Sequence, residues 1–350
     1  MRISCRAALS VLICAAAFAQ PLPVRGIHLA APMPDDMALA ERFIREALPR
    51  QGVNTLVLEF NYRFQFAKHP EVVDTPALSA DDVRRLAADC RAAGVKLVPM
   101  INLLGHQSWA RTTFGLLRGH PEFDETPGKY PNNEGTYCRS YCPLHPDLHA
   151  VLFDLIDELA DAAGADAFHI GMDEVFLLGE DDCQRCKGKN KADLFAAEVR
   201  ALHDHLAQSH RATWMWGDRF LDGPTTGMGK WEAAENGTAP ALHSVPRDIV
   251  ICDWHYRTAH PSPAYFALEG FNVLAAPWRD TSVALRQLDL IRLARANSAA
   301  PVAERFQGML QTTWVNFGAF VRTWFGDEKS NTNAIEAAAT FRELFHELRR

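Results

Sequence analysis

Beyond residue 20 the chain has no stretch of 18 or more consecutive apolar residues, so no internal membrane span is expected. Long basic runs are also missing. With 36 Lys and Arg against 43 Asp and Glu the net charge is −7, which disfavours a nucleic-acid partner. There is no G-x-G-x-x-G turn between a strand and a helix and no Gly-Lys-Ser/Thr loop, which argues against dinucleotide-binding and phosphate-loop folds. Gly227-Met-Gly229 lacks the third glycine and follows no strand. No early strand carries His-x-His, so a barrel hydrolase built on a catalytic metal is disfavoured. His28 stands alone, Pro146 separates His145 from His149, and His203 and His205 fall on different helix faces. No repeat, low-complexity tract or linker divides the chain.

What remains is an ordinary globular composition. The chain has 350 residues, 48% hydrophobic and 23% charged, enough for a large core. Residues 1–19 read as a secretory signal peptide. Arg2 and Arg6 precede an apolar run from Ala7 to Phe18, and Ala17-Phe18-Ala19 fits a small-x-small cleavage site. Export to the periplasm or the outside is therefore expected, with residues 20–350 forming the mature domain.

Hydrophobic periodicity predicts eight strand–helix units. The strands are Arg25 to Ala30, Val53 to Phe60, Val95 to Asn102, Ala165 to Gly171, Ala212 to Gly217, Asp248 to Asp253, Phe271 to Ala276 and Phe306 to Thr312. Helices follow most of them, ending with one from Asn331 to Leu348, while 218–247 is Gly- and Thr-rich without a clear period. Such alternation predicts an α/β fold, a single-domain (β/α)8 TIM barrel.

Chemistry in such a barrel collects at the C-terminal ends of the strands. That places His106 after strand three and His169, Asp173 and Glu174 along and beyond strand four. Trp216 ends strand five and Trp254 strand six; Trp278 and Asp280 follow strand seven, and Trp314 and Asn316 follow strand eight. Aromatic walls among carboxylates suit a sugar, with its apolar ring faces and hydroxyl edges. Two adjacent carboxylates, Asp173 and Glu174, repel, which favours one protonated acid beside one carboxylate, as acid-catalysed glycosidic cleavage requires.

The run His169-Ile-Gly171-Met-Asp173-Glu174 resembles the His-x-Gly-Gly-Asp-Glu motif of glycoside hydrolase family 20, the β-N-acetylhexosaminidases. Arg25-Gly26, the segment from Pro99 to Gly105-His106, Cys142-Pro-Leu-His-Pro146 and Gly308 to Trp314 resemble further family segments in order, so the likeness covers about residues 24–325. The resemblance implies an oligosaccharide or glycoconjugate substrate and no cofactor for catalysis. It implies Glu174 as general acid and then base, and Asp173 orienting the substrate's 2-acetamido group, whose oxygen acts as nucleophile with net retention. Arg25 would bind sugar hydroxyls, His106 and His169 would support the acids, and Trp254, Trp314 and Trp216 would wall the sugar.

Three positions depart from the family pattern. Met172 replaces the second motif glycine, no tyrosine follows strand seven, and Asn316 stands where a glutamate is usual. A related glycosidase with another sugar preference and a non-catalytic carbohydrate-binding barrel are therefore the alternatives. Six cysteines lie beyond the signal segment. Cys138-x3-Cys142 and Cys183-x2-Cys186, on neighbouring loops, have the spacing of a structural zinc site, whereas an oxidising compartment would favour disulfides. Cys90 and Cys252 are expected as buried thiols.

Overall fold

The computed structural model describes residues 21–326 and 331–350; the expected signal peptide lies outside the described residues. Eight parallel strands close into a barrel: β1 Val24–Ala30, β2 Thr55–Glu59, β3 Lys96–Leu103, β4 Ala167–Gly171, β5 Ala212–Trp216, β6 Val250–Trp254, β7 Asn272–Ala276 and β8 Phe306–Gln311. β8 closes on β1 with Val24 opposite Gly308 and Ile27 opposite Gln311. Every predicted strand is present, shifted at its ends by a residue or two.

Period-2 alternation sorts the strand side chains between two cores. Val57, Val98, Met100, Trp214, Cys252 and Leu310 fill the barrel. Leu56, Ile101, Phe168, Met215, Ile251 and Met309 point outward, into the layer packed by helices. The helices start and stop where local chemistry dictates. Ala80–Ala92 opens on a capping box between Ser79 and Asp82. Leu148–Ala163 buries Leu148, Val151, Leu152, Leu155, Ile156 and Leu159 along one face and stops at left-handed Gly164. Each such aliphatic side chain contributes about 1.5–3 kcal/mol by leaving water.

One segment without a predicted element is now defined, and one differs from expectation. The stretch after β5 forms only short turns, Asp218–Phe220, Gly223–Thr226, Gly229–Glu232 and Ala239–Ser244. After β8 there are two helices, Phe317–Phe325 and Thr332–Leu348. The first buries Phe317, Phe320 and Val321, and Asn316 is its N-cap, accepting from Ala319 N at 3.3 Å. No helix among the described residues is long and apolar enough to cross a membrane.

Candidate active site

The acid pair sits where β4 runs out at the mouth. Gly171 (φ 71°), Met172 (φ 75°) and Glu174 (φ 47°) all adopt positive φ. The strand's alternation is thereby broken, and Asp173 and Glu174 both face the same imidazole. His106 Nε2 lies 3.4 Å from Asp173 Oδ2 and 3.2 Å from Glu174 Oε2. Glycine is required at 171, because a Cβ there would stand 2.2 Å from Asn102 Oδ1. Met172 adopts a conformation that favours glycine, and its side chain is fully buried.

Asn102, at the end of β3, ties the turn together. Its Nδ2 donates to Asp173 Oδ1 at 2.7 Å, and its Oδ1 accepts from Met172 N at 3.2 Å. Burial works to raise the Asp173 carboxyl, but the adjacent His106 and the Asn102 amide outweigh it, and its pKa lies below the ordinary aspartate value. Burial opposes charge on His106 too; there the two carboxylates prevail and hold its pKa well above that of free histidine. Deeper in the barrel, burial and neighbouring His28 push His169 well below the usual value, which leaves it neutral.

Asp218, just past β5, braces the Glu174 backbone. Its Oδ2 accepts from Glu174 N at 3.0 Å and from Arg219 Nε at 2.6 Å, and its Oδ1 accepts from Trp254 Nε1 at 3.3 Å. Burial pushes its carboxyl up to about 6, against Arg219 and with Asp173.

Aromatic rings frame the mouth. Tyr256 stacks on Trp254, with centroids 5.0 Å apart, and meets Trp278 edge-on at 5.5 Å. The Trp314 indole N–H donates to the Tyr256 hydroxyl. Trp314, itself at φ 42°, also touches His28 and Trp216. On the Glu174 side, Tyr137 meets His106 edge-on at 5.9 Å and packs against Trp231 at 4.8 Å and Phe176 at 5.7 Å. Trp231 is 44% exposed.

His106, Asp173, Glu174, Trp254, Trp278 and Trp314 therefore gather at one mouth. Five other expectations need correction. Arg25 lies at the opposite, N-terminal end of β1, where its guanidinium donates to Gly52 O and Leu22 O. Toward the mouth β1 instead presents His28, whose Nε2 is 3.3 Å from Glu59 Oε2. Asp280 is the N-cap of Thr281–Asn297, accepting from Ser282 N and Val283 N. Asn316 caps a helix likewise. Trp216 is fully buried beneath the mouth against His169, so it is a floor inside the barrel rather than a wall. Cys138 is apart from the other three loop cysteines: its Sγ donates to Glu174 O at 3.8 Å, and Glu125 completes the cluster with Cys142, Cys183 and Cys186.

Asn102, Tyr137, Asp218 and Tyr256 carried no assigned role in the expected site. Position at a strand end marks Asn102 and Asp218. Tyr256, two residues past β6, has the same mark; nothing local marks Tyr137, which arrives on a loop.

Comparison with known proteins bears on the same region. The sequence model of the glycosyl hydrolase family 20 catalytic domain matches residues 56–279, which include the acid pair and His106. Hexosaminidase D of Bos taurus is 24% identical over 181 residues, 49% of this chain and 49% of the relative. Among solved structures, a chitobiase of Flavobacterium johnsoniae superposes with a TM-score of 0.64 at 17% identity, covering 94% of this chain and 51% of the chitobiase. A β-N-acetylhexosaminidase gives a TM-score of 0.66 at 16% identity, covering 93% and 72%. The chain spans about half the length of the first two relatives. With the family model matched across more than half of its length and an acid pair at the mouth of the expected barrel, the chain belongs to glycosyl hydrolase family 20 through the catalytic domain.

Proposed function

We propose that this chain is an exported exo-acting β-N-acetylhexosaminidase that uses its substrate's 2-acetamido oxygen as nucleophile. Glu174 is the general acid. Its proton passes to the glycosidic oxygen as the acetamido oxygen bonds the anomeric carbon and the bond to the leaving group breaks. Glu174, now a carboxylate, takes a proton from the water that opens the cyclic intermediate, and the configuration is retained. Asp173 aligns the acetamido N–H and balances the positive charge of the intermediate. The observation that carries this reading is the convergence of Asp173 Oδ2 and Glu174 Oε2 on His106 Nε2, with Asp173 held as a carboxylate.

Tyr256 answers the missing tyrosine after strand seven. Its oxygen accepts from the Trp314 indole, so its own proton is free to donate to an acetamido oxygen. Trp254, Trp278 and Trp314 supply apolar surface for the sugar ring. Tyr137, Phe176 and Trp231, on the Glu174 side, face the leaving group.

A second reading, a family-20-like glycosidase with another sugar preference, is favoured by Arg25, Asp280 and Asn316. All three are committed away from the mouth or to helix caps, so the hydroxyl contacts differ from the expected set. One experiment separates the readings: hydrolysis of 4-nitrophenyl N-acetyl-β-glucosaminide and of the matching β-glucoside by wild type and Glu174→Gln. Turnover of the acetamido sugar alone, lost in the variant, supports the first reading. Turnover of the glucoside alone selects the second, and unchanged activity in Glu174→Gln overturns both.

A further inference from the structure

Beside the mouth lies a buried cluster that the proposed catalysis does not use. Cys142 Sγ is 3.3 Å from Cys183 Sγ and 3.4 Å from Cys186 Sγ. A Glu125 carboxylate oxygen joins them, with all four donor atoms within 4.8 Å of one another. Glu125 and the three cysteines are each 2% exposed or less.

The carboxylate is oriented for a ligand. Glu125 Oε1 accepts from Gly179 N at 2.7 Å and Glu180 N at 3.1 Å, while buried Oε2 has no hydrogen-bond partner among the described residues. A carboxylate buried with one oxygen unpartnered is costly unless a cation meets it. The Cys183-x2-Cys186 turn is also shaped for a metal. Lys187 N bonds Cys183 O, Lys189 N bonds Cys186 O, and Gly188 takes the left-handed conformation (φ 72°) that turns the chain back.

We propose that Glu125, Cys142, Cys183 and Cys186 form a structural zinc site, one carboxylate oxygen and three thiolates around a tetrahedral ion. A disulfide fits less well. It would join two of three mutually adjacent sulfurs, leave the third thiol over and leave Glu125 Oε2 unsatisfied. Soft thiolates with one oxygen suit zinc rather than magnesium or calcium. The ion ties the segment after β3 to the loop after β4. Tyr137, edge-on to His106, and Cys138, bonded to the Glu174 carbonyl, both lie between ligands 125 and 142. The zinc is thus a clamp on the loop facing the catalytic acid.

The test is metal analysis of the purified full chain, with cobalt replacement. One zinc per chain is expected, and cobalt should give thiolate charge-transfer bands with the intense visible bands of tetrahedral geometry. Cys183→Ser should lose the metal. Glu125→Gln should weaken zinc at least about tenfold in competition with a chromophoric chelator, and Cys138→Ser should retain one zinc. Wild-type stoichiometry and the cobalt spectrum decide the matter even where a variant fails to fold. A folded wild-type chain without zinc and without a cobalt spectrum overturns the proposal. So does a disulfide among the three cysteines by mass spectrometry, or metal loss in Cys138→Ser equal to that in Cys183→Ser.

Discussion

Asn102→Ala removes the amide on which Asp173 depends. The lost hydrogen bond, 2.7 Å to a buried carboxylate, contributes about 1.5–3 kcal/mol. The same change strands Met172 N–H, which costs about 1–3 kcal/mol more. Water entering the space left by the amide recovers part of this, so a total loss of about 3–5 kcal/mol is expected, a large share of the roughly 5–15 kcal/mol that holds a domain folded. Part of the loss depends on pH. Because the folded pKa of Asp173 is depressed, ionised Asp173 contributes stability above its unfolded value and loses it as pH falls through the folded one. Without Asn102 its proton affinity rises, because the lost hydrogen bond favours the ionised form. The acid limbs of melting temperature and of kcat/KM should then move together to higher pH. Gly171→Ala should shift them the same way while leaving Asn102 in place, because its Cβ would collide with Asn102 Oδ1. The assay is kcat/KM on an aryl glycoside and thermal melting of wild type and both variants from acidic to neutral pH. Acid limbs superimposable on wild type, with a stability loss below about 0.5 kcal/mol, would refute the role given to Asn102.

Two further outcomes are expected. Trp231→Ala should lower kcat/KM on an oligosaccharide by about tenfold, from an aromatic contact worth about 1–1.5 kcal/mol, and barely change it for a small aryl aglycone; equal losses on both substrates would remove Trp231 from the leaving-group side. His106, with its folded pKa raised, contributes stability that is complete below its unfolded pKa and lost as pH rises through the folded one. Wild type should therefore melt lower as pH rises into the alkaline range, and His106→Gln should show less of that decline in calorimetry.

The candidate site was legible to different depths. Asp173, Glu174 and His106 could be found because a barrel delivers strand ends to one mouth and these residues follow strand ends. Asp280 and Asn316 follow strand ends too, but a polar residue there is equally an N-cap, and the first helical amides claim both side chains. Arg25 was misplaced because the family resemblance was followed over its place in the strand: β1 begins at Val24, so its second residue is at the bottom, away from the mouth. Counting cysteines grouped Cys142, Cys183 and Cys186, which the fold does bring together, with Cys138, where the fold places Glu125 instead. Glu125 has no spacing signal relative to Cys142, whereas Cys138 does.

By itself the sequence determined the alternation of strands and helices, and with it the closed barrel and the position of the acid pair, because these rest on local periodicity and on chain direction. Only the tertiary structure decided which side chains meet. The positive-φ turn that brings Asp173 and Glu174 to one imidazole depends on Asn102 from β3 and on Asp218 just past β5. Tyr137 reaches the mouth on a long loop whose path is set by packing. Contacts between residues dozens of positions apart are selected by shape and by hydrogen-bond satisfaction in the folded interior, and neither leaves a period in the chain.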